Sequence, residues 1–142
     1  MNSNDLKKIS SFINKHHVLS LATSNAKDLS VCSLFYTYQE KELSFIVASS
    51  EETTHIRHIK QNNTVAGNIL LETKELGRIQ GVQFRGLMFE VEEKEFRNAY
   101  FKSFPYAIAL NPKLWQIKVN YFKMTDNRLG FGKKIIWPEA SL

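Results

Sequence analysis

The 142 residues, 43% hydrophobic and 23% charged, have the proportions of one globular domain spanning 1–142, with ten Phe, five Tyr and two Trp to fill a single core. A net charge of +5 is spread along the chain, with only Lys7-Lys8 and Lys133-Lys134 adjacent, so it does not favour nucleic acid but suits a phosphorylated small molecule. The single cysteine, Cys32, excludes an intrachain disulfide and a cysteine metal cluster, and no apolar run approaches a membrane span.

The N-terminal run Met1-Asn-Ser-Asn-Asp5 lacks the basic and apolar regions of a signal peptide, which points to the cytoplasm. Asn4 suits a helix N-cap, and Leu6, Ile9, Phe12, Ile13 and His16 recur at helical spacing, predicting a helix over about 5–16 that ends at His16-His17. Strands follow over 18–23, 30–38 and 43–48, the last two joined as a hairpin. Ser49 with Glu52 fits a capping box that opens a helix to about Gln61. A strand over 65–71 and a turn at Lys74 to Gly77 lead into a long strand over 79–91. Its apolar phase moves from Val82 and Phe84 to Leu87, Phe89 and Val91, predicting a bulge at Gly86. Residues 93–104 read as a helix that Pro105 breaks. Trp115, Ile117, Val119 and Tyr121 alternate as a half-buried strand, and Leu129, Phe131, Ile135 and Trp137 repeat the pattern. About six to seven strands joined mostly by short turns, with three helices, predict a mainly β (α+β) fold. It is an antiparallel Greek-key split barrel with peripheral helices.

Four stretches can carry chemistry. In Ser49-Ser50-Glu51-Glu52-Thr53-Thr54-His55, hydroxyls and an imidazole stand where a strand becomes a helix, a natural place for phosphate, although Ser49 also explains itself as a cap and the glutamates oppose an anion. In Gly81-Val-Gln-Phe-Arg-Gly86, Gln83 and Arg85 share the face opposite Val82 and Phe84, either to hydrogen-bond a planar heterocycle or as a solvated surface. In Met124-Thr-Asp-Asn-Arg-Leu-Gly-Phe-Gly-Lys-Lys-Ile-Ile-Trp137, two glycines, a polar turn and a lysine pair crowd together as a flat anionic ligand would require. His55 and His58 lie three apart, but no third ligand of metal spacing accompanies them. Cys32, in mid-strand, reads as buried and inert. No dedicated catalytic residue is identified, and no metal site.

Thr53-x-His55 followed by Val65-Ala-Gly67, Gly81-Val-Gln-Phe-Arg-Gly86, and Thr125-Asp-Asn-x-Leu-Gly-Phe-Gly-Lys-Lys-x-Ile-Trp137 together resemble the pyridoxamine-phosphate-oxidase-like FMN-binding split-barrel superfamily, in particular a small uncharacterised bacterial branch of it. The resemblance covers roughly residues 16–137. It implies a homodimer with FMN between subunits. The strand at Cys32 and Ser33 would then lie along the flavin ring. Ser49, Ser50, Thr53, Thr54 and His55 would hold the phosphate, Gln83 would reach the pyrimidine edge, and Lys133 would neutralise reduced flavin, with the C-terminal turn supplied in part by the partner. The better-known oxidases carry an Arg-Lys pair where Thr54 and His55 stand here. A neutral Thr and a His of pKa about 6.5 grip a dianion less firmly, with Arg57 or Lys133 available to compensate.

The first functional expectation is an FMN-dependent oxidoreductase exchanging a hydride with a nicotinamide or small organic substrate. The alternative is a non-catalytic module that stores or senses flavin, or holds haem through His16, His17, His55 or His58.

Overall fold

The computed structural model describes residues 3–138; Met1 and Asn2 of the N-terminal run and the last four residues lie outside it. Helix α1 (Ser3–Asn14) precedes β1 (Val18–Ser24), β2 (Leu29–Gln39) and β3 (Ser44–Ala48). Helix α2 (Thr54–Gln61) leads to β4 (Thr64–Leu70) and β5 (Gln80–Val91). Helix α3 (Lys94–Ser103) leads to β6 (Leu114–Asp126) and the short β7 (Lys134–Trp137).

All pairings are antiparallel, in the order β3-β2-β1-β4-β5-β6-β7, and β3 also pairs with β6. Six strands therefore close into a barrel, β7 extends it at β6, and the helices lie outside, as the alternating sequence pattern predicts. Closure removes the free edges that an open sheet would present. Strand alternation sends Leu19, Leu21, Phe45, Val47, Val82, Phe84 and Phe122 inward, where Phe45 and Phe84 meet with ring centroids 4.8 Å apart. Ile9, Phe12 and Ile13 of α1 join the same core, which is why the helix shows an apolar stripe.

Four local readings are corrected. Helix α1 ends at Asn14, two residues early, so His16 and His17 stand beyond it; the His16 ring rests on Phe12 at 4.3 Å. The N-cap of α2 is Thr53, whose hydroxyl accepts from the Ile56 N–H, rather than Ser49. The register slip does fall between Arg85 and Gly86, but the extra residue belongs to β6: Arg85 faces Tyr121 and Gly86 faces Val119, leaving Asn120 unpaired. The inward phase of β6 therefore passes from odd to even residues, and Tyr121 turns outward instead of continuing the buried series. A Cβ on Gly86 would stand 2.3 Å from the Lys118 carbonyl oxygen, so this close approach of β5 to β6 requires glycine. Finally, Leu129 and Phe131 precede β7, in the exposed turn that links it to β6.

Candidate functional site

Two features present polar groups that could receive a ligand. The first is the mouth of α2. Strand β3 ends at Ala48, and the Ser49 N–H donates to the Lys113 carbonyl at 3.2 Å, which holds the loop against the start of β6. The Trp115 indole N–H donates to the Ser49 carbonyl at 2.9 Å. Within the loop, Ser49 Oγ lies 2.6 Å and Thr53 Oγ1 3.4 Å from His55 Nε2, while the Thr53 hydroxyl donates to the Ser50 carbonyl at 2.8 Å. His55 is buried, and that burial, followed by the neighbouring His58 charge, holds its imidazole below the ordinary histidine range. The cluster therefore offers hydroxyls, helix N–H groups and a neutral imidazole, but no fixed cation. Thr54 and Arg57 are exposed on α2.

The second feature is set by sheet register. Ser33 on β2 faces Ser20 on β1, Ser20 faces Asn68 on β4, Asn68 faces Gln83 on β5, and Gln83 faces Lys123 on β6. Because paired residues share a face, these five polar side chains form one row across the outside of the barrel. In the next row, Val31 faces Ala22, Ala22 faces Ala66, and Ala66 faces Arg85, which faces Tyr121. The alanines leave a trough between taller neighbours: a cleft of about 380 Å³ whose lining includes Ser20, Ala22, Ala66, Asn68 and Gln83, with Arg85 and Tyr121 on one side. The Arg85 guanidinium carbon stands 4.3 Å above the Tyr121 ring centroid, which fixes that wall.

The residues singled out in sequence are thus divided. Ser49, Thr53 and His55 meet in one hydrogen-bonded cluster, with Ser50 and Thr54 in the same loop and helix start. Ser33 and Gln83 lie in the polar row. The Cys32 side chain rests partly against the core, and burial raises its thiol pKa, so this position offers the outer face only its backbone. Lys133 sits in the β6–β7 turn, its N–H on the Gly130 carbonyl. That turn and the α2 mouth lie at opposite ends of the 13-residue β6, a span of about 40 Å at the usual strand rise. One chain cannot bring them together. Ser20, Asn68, Ala22, Ala66 and Tyr121 escaped sequence reading as site residues, because only the strand register brings them together. His58 hydrogen-bonds Thr23 at 2.9 Å and is buried as part of the scaffold. Among the described residues, no three His, Cys, Asp or Glu side chains gather as a metal site, and no helix is long and apolar enough to cross a membrane.

No protein-family model matches the chain. It is 36% identical over 129 residues to a UPF0306 protein of Photorhabdus laumondii, covering 89% of this chain and 90% of the relative. It is also 36% identical over 138 residues to a UPF0306 protein of Cronobacter sakazakii, covering 95% and 96%. Among solved structures it is similar to a haem-binding protein from Mycobacterium smegmatis, with TM-score 0.79 at 15% identity over 96% of this chain and 58% of that one. It is also similar to an FAD-binding protein from Mesorhizobium loti, with TM-score 0.71 at 14% identity over 83% and 90%. A third is the haem storage protein HutZ of Vibrio cholerae, with TM-score 0.68 at 17% identity over 80% and 89%. At these identities the likeness shows the fold: a split barrel of the pyridoxamine-phosphate-oxidase-like kind.

Proposed function

The chain belongs to the UPF0306 family, and we propose that it binds FMN between two copies of itself and acts as a flavin-dependent oxidoreductase. The observation that carries this reading is the cleft floored by Ala22 and Ala66 and bordered by the polar row. Its flat, small-residue floor suits a planar ring, and Asn68 and Gln83 supply the donors and acceptors that a heterocycle edge needs. The α2 mouth suits the phosphate, with neutral donors from Ser49, Ser50, Thr53 and Thr54 and from the helix N–H groups. His55 would accept or donate within that cradle.

Pairing is supported by what the same outer face exposes. Val31 is 73% and Phe35 59% exposed, and Leu87 is also open, an apolar surface that a single chain leaves in water. Pairing would also bring a second C-terminal turn, with Lys133, toward an α2 mouth that the turn of the same chain cannot reach. When bound, the flavin supplies the hydride exchange; the chain's own residues hold, orient and shield the ring. A fold neighbour described as FAD-binding supports a flavin over an unrelated ligand. Titration of the purified protein with FMN, followed by flavin fluorescence, is expected to saturate in the micromolar range. The outward-facing substitution Ala66→Leu, which fills the trough without entering the core, is expected to abolish that binding. Unsaturable wild-type titration would overturn the reading.

A haem-binding reading keeps one specific support. His55 and His58 are both engaged, but His16 and His17 border a hollow of about 290 Å³ with Thr37, Ser103 and Phe104. A Soret band on haem addition, lost in His17→Ala, would favour it over flavin.

A further inference from the structure

The α2 mouth lacks a fixed cation, yet a lysine is already tethered beside it. Lys113 takes the Ser49 N–H on its own carbonyl, so its backbone is locked to the loop that carries the hydroxyls. Its ammonium does not stand free. It hydrogen-bonds the carboxylate of Glu51, two residues after Ser49, and lies 3.5 Å from Glu90 on β5. Glu51 also attracts Lys60 of α2 at 3.7 Å. All of these side chains are solvent-exposed, so the pairs are weak and exchangeable. Glu51 lies between Ser49 and Thr53 in sequence, so a phosphate at those hydroxyls would compete with its carboxylate for the Lys113 ammonium.

We propose that Lys113 is the phosphate counter-charge of this chain and that Glu51 is its built-in competitor, releasing Lys113 to an incoming phosphate monoester and so setting the affinity of the α2 mouth. The proposal rests on the reading of that mouth as a phosphate site, and it assigns the cation that the loop itself lacks. It accounts for one acidic residue in a loop otherwise suited to anions: Glu51 holds the lysine in place until a phosphate displaces it. The device differs from a permanent arginine clamp. Binding exchanges one ion pair for another, so the net electrostatic gain is small and the ligand can leave.

Two titrations test it. In the first, FMN and riboflavin are titrated in parallel, since only FMN carries the phosphate. Glu51→Gln is expected to tighten FMN about two- to fivefold, the scale of an exposed ion pair. Lys113→Gln is expected to weaken FMN by a similar factor, and neither change should move riboflavin. In the second, inorganic phosphate is titrated while the Trp115 indole N–H resonance is followed, because that group reports on the Ser49 carbonyl. The phosphate midpoint should shift in the same directions. If FMN binds but both variants leave the FMN-to-riboflavin ratio unchanged, the role of Lys113 is overturned while the flavin reading stands. If FMN does not bind but phosphate still responds to both substitutions, the counter-charge stands and the flavin reading falls. If neither ligand registers, both fall. Lys60→Gln serves as the control, with an effect expected to be smaller than that of Lys113→Gln.

Discussion

Ser49 Oγ and His55 Nε2 lie 2.6 Å apart, and this contact ties the loop after β3 to the first turn of α2. The imidazole is only 8% exposed, so it belongs to the scaffold as well as to the candidate site. Removing it leaves the half-buried Ser49 hydroxyl without its partner and opens space under α2. We therefore expect His55→Ala to destabilise the apo-protein by about 1–3 kcal/mol. Thr54→Ala, at an exposed position, should change stability by less than about 0.5 kcal/mol. Urea denaturation of the two variants measures the difference; equal stabilities would contradict the scaffold role.

The same burial gives a pH dependence. His55, and His16 through burial followed by the charges of His17 and Lys15, have folded pKa values below the ordinary histidine value. The unfolded chain therefore binds more protons than the folded one as pH falls through about 6.5. Stability should be full above that value and decline below it, through the range down to the folded pKa values. Melting temperature measured from pH 8 to 5 should fall on the acid side, with a shallower slope in His55→Gln. A melting temperature that rises on acidification would contradict this assignment.

Gly67 marks a point where strands approach too closely for any side chain. A Cβ there would stand 2.2 Å from the Ser20 carbonyl oxygen and 2.4 Å from the Phe84 ring, whereas one at Gly77 would meet nothing within 4 Å. Gly67→Ala should therefore cost more than about 2 kcal/mol, and Gly77→Ala little. Chemical denaturation compares them directly. A Gly67→Ala protein of wild-type stability would mean that β1, β4 and Phe84 can separate.

Much of this architecture is legible in the residues. Alternation in β1 and β2 and the helical stripe of α1 follow from local sterics and burial, whereas the phase change expected in β5 at Gly86 is absent: Val82, Phe84 and Met88 stay inward while Leu87 and Phe89 remain outside. What escaped depends on pairing between distant segments. That Asn120 is the unpaired residue, and that Tyr121 therefore faces outward, follows from β6 matched against β5 and cannot be read within either strand. The same holds for the row from Ser33 to Lys123: Ser20 and Asn68 are unremarkable alone and meaningful only in register. The misplaced cap at Ser49 has a local cause, because Ser49 and Thr53 both satisfy capping chemistry and the chain uses the later one. Leu129 and Phe131 mimic strand alternation by chance, but Gly130 and Gly132, both at positive φ, turn the chain there.

The exposed apolar face of β2 leads to a prediction about assembly. Val31 borders the cleft and Phe35 lies on the same outward face, its ring against Phe104 at 5.6 Å, so replacing both with glutamate should leave the barrel core untouched. We expect the wild-type protein to sediment as a dimer and the Val31→Glu, Phe35→Glu protein as a folded monomer that no longer retains flavin. A wild-type monomer by analytical ultracentrifugation that still binds FMN tightly would exclude a shared site.

The most direct measurement is the absorption spectrum of freshly purified protein, with mass spectrometry of whatever denaturation releases. The account predicts flavin bands near the visible blue and a released mass matching FMN, or the same bands gained on adding FMN to apo-protein. A colourless protein that takes up no FMN, or one that releases haem alone, would contradict it.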